Sequence, residues 1–297
     1  MKKPQLATNL SENLEKLNVN REKASKLFAD VIEKAVKKSK PDTTALLEKD
    51  LDIETELDHQ FANEPAPLKI AVLGGGSFGT AMANLSSKDG CEVTLWERDK
   101  RSVKSMQKTH INKKYLPDHK LDERLQFTHD LQAAVKGKDL IFVAVPSSAF
   151  RETLQKIAPF ISAQAIVSLT KGMEKDTFAL MSDVIADELP NVAFGVMSGP
   201  NLAKEIMNNM PSATVIASQS AALRLAVQKA LHSAFFHVFA SDDLIGVELG
   251  GALKNIYAIA MGMAAAYDIG ENTKAMILTR ALAEMSRFGV QEGDNTL

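Results

Sequence analysis

Short apolar segments alternate with segments of helical composition along the middle of the chain. Apolar runs that predict β-strands lie at 69–73, 91–96, 139–145, 165–169, 193–197 and 213–217. Segments of helical composition lie between them, near 78–88, 130–136, 149–157, 177–188 and 220–231. Strands that alternate with helices build a parallel sheet covered on both faces. We therefore predict a doubly wound α/β domain over residues 67–240.

The pattern changes after residue 240, where strand signals stop. Leu244 to Tyr267 and Thr273 to Phe288 each have helical composition, which predicts that an all-α domain begins at residue 241 and continues to 297. The first helix is apolar around nearly its whole circumference, so we predict that it is buried. A membrane span would place Glu248 and Lys254 inside the bilayer, which is costly, so no stable membrane insertion is expected.

The first 66 residues differ in charge from the rest. Residues 1–40 carry ten Lys/Arg against five Asp/Glu, whereas residues 41–66 carry one Lys against eight acids. Apolar residues at helical spacing between Leu14 and Ala35 indicate an amphipathic helix. We predict a charged extension, partly helical or disordered, and a docking or self-association helix is the alternative. The prolines of "NEPAPLK" predict a linker at 63–69.

Composition and charge exclude several classes of protein. A formal net charge of −2 argues against a dedicated nucleic-acid binder. The single cysteine excludes an intrachain disulfide and fits a reducing compartment, and no apolar core of a signal peptide follows the basic start, so a cytoplasmic protein is expected. The histidines show no metal-ligand spacing, and no metal site is expected; those considered were His110, His119, His232 and His237.

A glycine-rich turn follows the first predicted strand. The sequence from Gly74 to Gly79 satisfies G-x-G-x-x-G, with its second glycine at Gly76. The first glycine permits the tight turn, the second a close approach to a pyrophosphate, and the third close packing of helix on strand. Because a strand precedes the turn and a helix follows it, we predict a dinucleotide site in a Rossmann-like domain. At the end of the second strand, Glu97 would favour NAD and Arg98 would favour NADP, and the sequence leaves the choice open.

Polar residues follow three later strands, at the edge where ligands bind in such folds. Pro146 and Ser147 follow the fourth predicted strand, Lys171 the fifth, and the segment Ser198 to Asn201 the sixth. Lys171 would bring a cation to the crevice, with a loop lysine as the alternative. The start of a helix after Pro200 would offer N–H donors to an anion.

A lysine lies in the middle of the long apolar helix. Lys254 has Gly250 and Gly251 one turn earlier and Ala258 one turn later, so small neighbours leave room for a ligand. Burial lowers the pKa of a lysine, which makes it a useful acid or base. The alternatives are a lysine that extends to solvent or one that pairs with Glu248 or Asp268.

Six motifs in order carry a resemblance to a known family: "GGGSFGTAMA", "VPSSAFR", "SLTKGME", "SGPNLAKEI", "DLIGVELGGALKNIYAIAMGM" and "TRALAEMSR". Over residues 68–290 the chain closely resembles the bacterial NAD(P)-dependent glycerol-3-phosphate dehydrogenases, and the first 66 residues are expected to lie outside the resemblance. The resemblance implies hydride transfer between NAD(P)H and dihydroxyacetone phosphate, which gives sn-glycerol 3-phosphate for phospholipid synthesis. It also makes a homodimer plausible.

The resemblance assigns roles to individual residues. Cofactor contacts are expected at the turn glycines and at Ser77, Phe78, Arg98, Tyr115, Lys171 and Ala203. Substrate contacts are expected at Lys171, Gly199, Asn201, Lys254 and Asn255. Lys254 matches the catalytic lysine, which would donate a proton to the alkoxide or remove one from the hydroxyl. Relatives often carry Ser or Thr where this chain has Asn201.

The chain departs from the family pattern after "AEMSR". A "GLGDL"-like acid and the "RN" pair that holds the substrate phosphate are expected there, but the sequence ends at "FGVQEGDNTL". We therefore expect a fragment that binds cofactor and turns over poorly, with the apolar helix partly uncovered. Two other classes are the alternatives: a dehydrogenase of β-hydroxyacids with the same architecture, and a non-catalytic nucleotide sensor or scaffold.

Overall fold

The computed structural model describes residues 67–267 and 269–294, with side chains described up to Arg287. The predicted N-terminal extension lies outside the described residues. The strands are β1 (Lys69–Leu73), β2 (Glu92–Trp96), β3 (Gln126–Thr128), β4 (Leu140–Val143), β5 (Ala165–Ser168), β6 (Phe194–Ser198), β7 (Ser212–Ala217) and β8 (Phe236–Ser241). The α-helices are α1 (Ser77–Lys88), α2 (Lys100–Thr109), α3 (Leu131–Val135), α4 (Phe150–Ile157), α5 (Met181–Glu188), α6 (Ala203–Met207), α7 (Ala221–Leu231), α8 (Leu244–Ala266) and α9 (Glu271–Asp294).

The strands form one sheet in the order β3-β2-β1-β4-β5-β6-β7-β8. The pairs from β3 to β6 are parallel, as predicted, and β7 is parallel to β8. The predicted parallel arrangement fails at one place, since β6 and β7 are antiparallel. The connection between them holds the single-turn α6, and the chain turns back beside β6 without a full crossover helix.

Apolar side chains fill both faces of the sheet. One cluster contains Val72, Met82 and Leu95, and it extends under α1 and α7. The other contains Leu73 and Phe150, and it extends under α4 and α5. Residues next to each other in β1 therefore enter opposite clusters, as the two-residue period of a strand requires. The doubly wound α/β class followed by helices is confirmed.

The long helix α8 is less buried than its composition predicts. All its residues are described, and those buried are Glu248, Leu249 and Gly251, near its N-terminal end. Beyond them the side chains of Ile256 and Ile259 are 61% and 66% exposed. The prediction of a buried helix is therefore wrong for most of α8, and the expectation of a partly uncovered helix is confirmed. In the described part of the chain, α8 is also the one helix long and apolar enough to span a bilayer.

Candidate active site

A cleft of about 720 Å³ lies beyond the carboxyl ends of β1, β2, β4 and β5. This is the edge where ligands bind in doubly wound sheets. The predicted site residues that line the cleft are Gly74, Gly76, Ser77, Phe78, Gly79, Arg98, Tyr115, Lys171 and Asn201. The segments from Ala144 to Ala149 and from Leu169 to Lys171 also line it.

The glycines of the turn differ in what surrounds them. Gly74 has a φ of +124°, and a Cβ there would overlap the carbonyl oxygen of Ala144. A Cβ at Gly79 would overlap the carbonyl oxygen of Gly74, so this glycine allows α1 to pack against the turn. A Cβ at Gly76 would meet nothing within 4 Å, because this position faces the cleft. Gly74 and Gly79 thus shape the turn, whereas Gly76 leaves space for a ligand at the N-terminus of α1.

A buried asparagine that the sequence analysis missed holds the turn in place. The Asn112 side-chain amide donates to the carbonyl oxygen of Gly75 over 2.8 Å and to the Thr80 hydroxyl over 2.9 Å. Its Oδ1 accepts from the backbone N–H of Tyr115 over 3.4 Å. Asn112 therefore connects the glycine turn to the segment that brings Tyr115 to the cleft. Nothing in the sequence around "HINKKYLPD" distinguishes this asparagine from a loop residue.

The two residues that would choose between NAD and NADP have different surroundings. The Glu97 carboxylate accepts from the backbone N–H of Asp99 over 3.1 Å. Its other oxygen lies where a Cβ on Gly75 would be, so the side chain lies against the glycine turn. Arg98 is exposed at the rim of the cleft. Its guanidinium is thus accessible to an anionic group on a bound nucleotide.

Lys171 projects into the cleft from the loop after β5. The preceding residue anchors this loop, since the Thr170 hydroxyl donates to the carbonyl oxygen of Val145 over 2.7 Å. The Lys171 amine lies 5.5 Å from the centre of the Phe78 ring, above α1. Burial, followed by the nearby Lys254 ammonium, lowers the pKa of Lys171 to about 8.

Lys254 extends from α8 toward the same edge of the cleft. Its amine donates to the carbonyl oxygen of Gly199 over 2.5 Å and lies beside the Lys171 amine. Burial lowers the pKa of Lys254 below its ordinary value. The alternative that it pairs with Glu248 is wrong, because that carboxylate accepts from Ser182 instead. The other alternative partner, Asp268, lies outside the described residues.

The loop after β6 is packed tightly around Gly199. A Cβ there would come within 2.8 Å of the Ala213 carbonyl oxygen and 3.0 Å of the Asn201 amide nitrogen. The Asn201 amide donates to the Thr214 hydroxyl over 2.9 Å. Its buried Oδ1 has no hydrogen-bond partner among the described residues.

Four predicted residues do not line the cleft: Gly199, Ala203, Lys254 and Asn255. Gly199 and Lys254 adjoin it through their hydrogen bond and through Lys171. Ala203 begins α6 and packs on the core, and Asn255 is exposed on α8. The described residues contain no group of three or more His, Cys, Asp or Glu side chains placed to hold a metal ion.

The sheet order and the glycine turn together define a protein of the Rossmann-type, dinucleotide-binding class. Comparison with protein families then identifies the group within that class. Residues 69–224 match the N-terminal model of the NAD-dependent glycerol-3-phosphate dehydrogenases, and residues 243–296 match the C-terminal model. The chain belongs to the NAD-dependent glycerol-3-phosphate dehydrogenase family.

Curated relatives and solved structures agree with this family. The chain is 67% identical over 279 residues to glycerol-3-phosphate dehydrogenase [NAD(P)+] of Psychrobacter cryohalolentis, covering 93% of this chain and 64% of the relative. The relative from Acinetobacter baumannii is 64% identical over 230 residues, covering 77% of this chain and 64% of the relative. The chain thus spans less than two thirds of the length of these relatives.

Among solved structures, glycerol-3-phosphate dehydrogenase of Coxiella burnetii has a TM-score of 0.74 and 39% identity, covering 77% of this chain and 70% of that one. The enzyme of Plasmodium falciparum has a TM-score of 0.70 and 28% identity, covering 75% of this chain and 66% of that one. The family models begin at residue 69, so the first 66 residues lie outside them, as expected. The match to the Psychrobacter relative covers 93% of the chain and therefore includes most of that segment.

Proposed function

We propose that this chain carries the cofactor-binding domain and the proton-transfer lysine of an NAD(P)-dependent glycerol-3-phosphate dehydrogenase. The reaction would interconvert dihydroxyacetone phosphate and sn-glycerol 3-phosphate. The observation that carries the proposal is the position of the Lys254 amine, which donates to Gly199 and lies beside Lys171 at the edge of the cleft. The family and the site therefore point to the same chemistry.

The residues of the turn fit a dinucleotide. The open side of Gly76 and the first N–H groups of α1, at Ser77 and Phe78, can receive a pyrophosphate. Arg98 and Tyr115 line the same cleft and would contact the remainder of the nucleotide. A bound nicotinamide would supply or accept the hydride.

The two lysines would manage charge and protons on the carbonyl oxygen of the substrate. A ketone that receives hydride develops an alkoxide, which needs a nearby cation and then a proton. Lys254 would donate that proton, and its lowered pKa makes the neutral amine accessible for the reverse reaction. Lys171 would add positive charge, and Asn201, which lines the cleft, would contact the substrate.

The cellular setting follows from the same proposal. The product would serve phospholipid synthesis in the cytoplasm, and the homodimer expected from the family remains a prediction.

We propose that α8 packs on protein rather than crossing a membrane. The hydrogen bonds of Glu248 and Lys254 attach it to the Rossmann-type domain on the side of Ser182 and Gly199.

A cofactor titration followed by a substrate panel tests the proposal. Fluorescence of NADH and NADPH should report saturable binding to the 297-residue chain. Cofactor oxidation should then respond to dihydroxyacetone phosphate and not to β-ketoacids, with glycerol 3-phosphate identified as the product. Preference for a β-ketoacid would favour the other class of dehydrogenase. Cofactor binding without oxidation by any substrate, even with enzyme in excess, would favour a nucleotide sensor.

A further inference from the structure

A buried carboxylate outside the cleft connects α8 to the Rossmann-type domain. Glu248 is 6% exposed, and its two oxygens accept from the backbone N–H of Ser182 over 3.1 Å and from the Ser182 hydroxyl over 2.5 Å. Ser182 lies in the first turn of α5, whose N-cap residue is Leu180. Leucine has no side-chain acceptor, so the N-cap residue cannot accept from the backbone N–H of Ser182. Glu248, which is distant in sequence, accepts from this N–H group instead.

The contact is one of three that α8 makes at positions i, i+3 and i+6. Glu248 binds Ser182, Gly251 lies so close to Ser198 that a Cβ would overlap its hydroxyl, and Lys254 donates to Gly199. Six helical residues span about 9 Å along the axis and about 120° around it. Three contacts distributed in this way fix both the rotation and the height of α8 relative to α5 and the end of β6.

We propose that Glu248 is a positioning residue for Lys254. Its carboxylate fixes the rotation of α8 that places the lysine amine against Gly199 and beside Lys171. This inference rests on the proposed function for its significance, since Lys254 is the lysine that would move the proton.

The chemistry of Glu248 supports a positioning role. Burial raises the pKa of its carboxyl group, so holding it in the interior is costly unless its oxygens are hydrogen-bonded. An apolar residue at this place would pack without that cost and would not fix a rotation, whereas the pair of bonds to Ser182 is directional. The cation of Lys254 is hydrogen-bonded to Gly199, so Glu248 is not its counter-ion.

Competitive acetylation of lysines across a pH series tests the position of Lys254 directly. Mass spectrometry of peptides gives the pH of half-maximal labelling for each lysine in one experiment. In the wild-type chain the midpoint of Lys254 should lie below the ordinary value for a lysine. Lys138 is an internal control, because burial lowers its pKa far from α8, where its amine donates to the Thr94 hydroxyl over 2.8 Å.

The variants separate positioning from general stability. In Glu248→Ala the Lys254 midpoint should rise toward the ordinary value for a lysine while the Lys138 midpoint stays fixed. Glu248→Gln keeps one acceptor oxygen and should retain the wild-type midpoint, and Glu271→Ala, which removes an exposed pair with Lys274, is the matched control. Where Glu248→Ala does not fold, Ser182→Ala removes one of the two bonds and should give a smaller shift in the same direction.

Two results would overturn the inference. One is an unchanged Lys254 midpoint in a folded Glu248→Ala chain, or in Ser182→Ala if the first variant does not fold. The other is an equal shift at Lys138, which would indicate general loosening. The proposed function fails separately: if Lys254→Ala still reduces dihydroxyacetone phosphate at the wild-type rate, the labelling result stands and the catalytic role does not.

Discussion

At the residue scale, two lysine amines lie side by side at the edge of the glycine-turn cleft. The pKa of Lys171 falls to about 8 because the amine is buried and because Lys254 is near, and burial lowers the pKa of Lys254 as well. A bound anion would stabilise both ammonium groups and raise both pKa values. The site is therefore electrostatically adapted to an anionic ligand.

This arrangement predicts a pH dependence of ligand affinity. The Lys171 ammonium is present below pH 8 and is lost as the pH rises through about 8, so the affinity for an anionic dinucleotide should fall in that range. Binding titrations from pH 6.5 to pH 10 would measure the fall. The Lys171→Met chain should bind the dinucleotide more weakly at low pH, and its affinity should no longer fall as the pH rises through about 8. A pH-independent affinity in the wild-type chain would contradict the prediction.

The glycines of the turn predict two contrasting variants. Gly74→Ala should destabilise the fold by about 1–3 kcal/mol, because its φ is +124° and a Cβ would overlap the Ala144 carbonyl oxygen. Gly76→Ala should keep the wild-type melting temperature, since its φ is −66° and a Cβ there meets nothing within 4 Å. Its dinucleotide affinity should nevertheless fall by about tenfold or more, because the methyl group enters the space for the phosphates. Equal loss of stability in both variants would contradict this assignment.

Arg98 predicts a change in cofactor preference. A charge-assisted bond to the 2′-phosphate of NADP contributes about 1.5–3 kcal/mol, so Arg98→Ala should weaken NADPH binding by at least about tenfold. NADH lacks this phosphate and should bind nearly as before. Arg101→Ala, on the exposed first turn of α2, is the matched control. Equal weakening of both cofactors by Arg98→Ala would place the guanidinium elsewhere on the nucleotide.

At the element scale, one arginine holds the loop that follows Lys171. Arg151 on α4 makes a two-bond pair with the Glu174 carboxylate over 2.7 and 2.9 Å. It also pairs with Glu188 over 2.6 Å at the end of α5. Because Glu174 lies three residues after Lys171, this network stabilises the loop between β5 and α5.

The network predicts a component of acid unfolding. Arg151 and then the Thr177 hydroxyl lower the pKa of Glu174 from 4.5 to about 2. A carboxylate with a lowered folded-state pKa contributes stability above about pH 4.5 that is lost as the pH falls toward 2. Urea unfolding between pH 2 and pH 6 should therefore show a shallower dependence in Arg151→Met than in the wild-type chain. Parallel curves would show that the pair contributes nothing measurable.

The elements differ in how far the sequence predicts them. Apolar runs located β1 and β4 because a strand buried on both faces is continuously hydrophobic. The sequence did not reveal β3, which has three residues, or α2, where Val103 and Met106 are the buried side chains. It also missed β8, although Phe236 and Val238 alternate with less buried residues. The short β3 and the largely exposed α2 carry too few apolar positions to establish a period, a reason that does not apply to β8.

The site was predictable where one residue type has a single physical use. The three glycines of the turn satisfy this condition, since their spacing identifies each. Lys254 does not, because it was singled out on an apolar helix that is mostly exposed, and its role as acid or base stays a prediction. Asn112 does not, because its role depends on the distant Gly75 carbonyl that the fold brings within 2.8 Å. Composition also could not predict that α8 is exposed, because an apolar sequence does not show whether other residues cover the helix.

At the scale of the whole molecule, catalysis would require the Rossmann-type domain and α8 to act together. Gly74 to Gly79 form the cofactor side, and Lys254 reaches it from α8 through Gly199 and Lys171. Exposed apolar side chains continue along α8 and α9, including Met263 at 59% and Met276 at 58%. The chain spans 64% of the length of its Psychrobacter relative, so the relative that is named for this activity is a longer protein.

Single-turnover oxidation of bound NADPH by saturating dihydroxyacetone phosphate tests the central claim most directly. With enzyme in excess over NADPH, slow reduction of dihydroxyacetone phosphate can be followed even where steady-state turnover is near background. When saturated with NADPH, the Lys254→Ala chain should react about 10²–10⁴-fold more slowly, because the proton donor is lost. A Lys254→Ala chain that reacts at the wild-type rate would contradict the account.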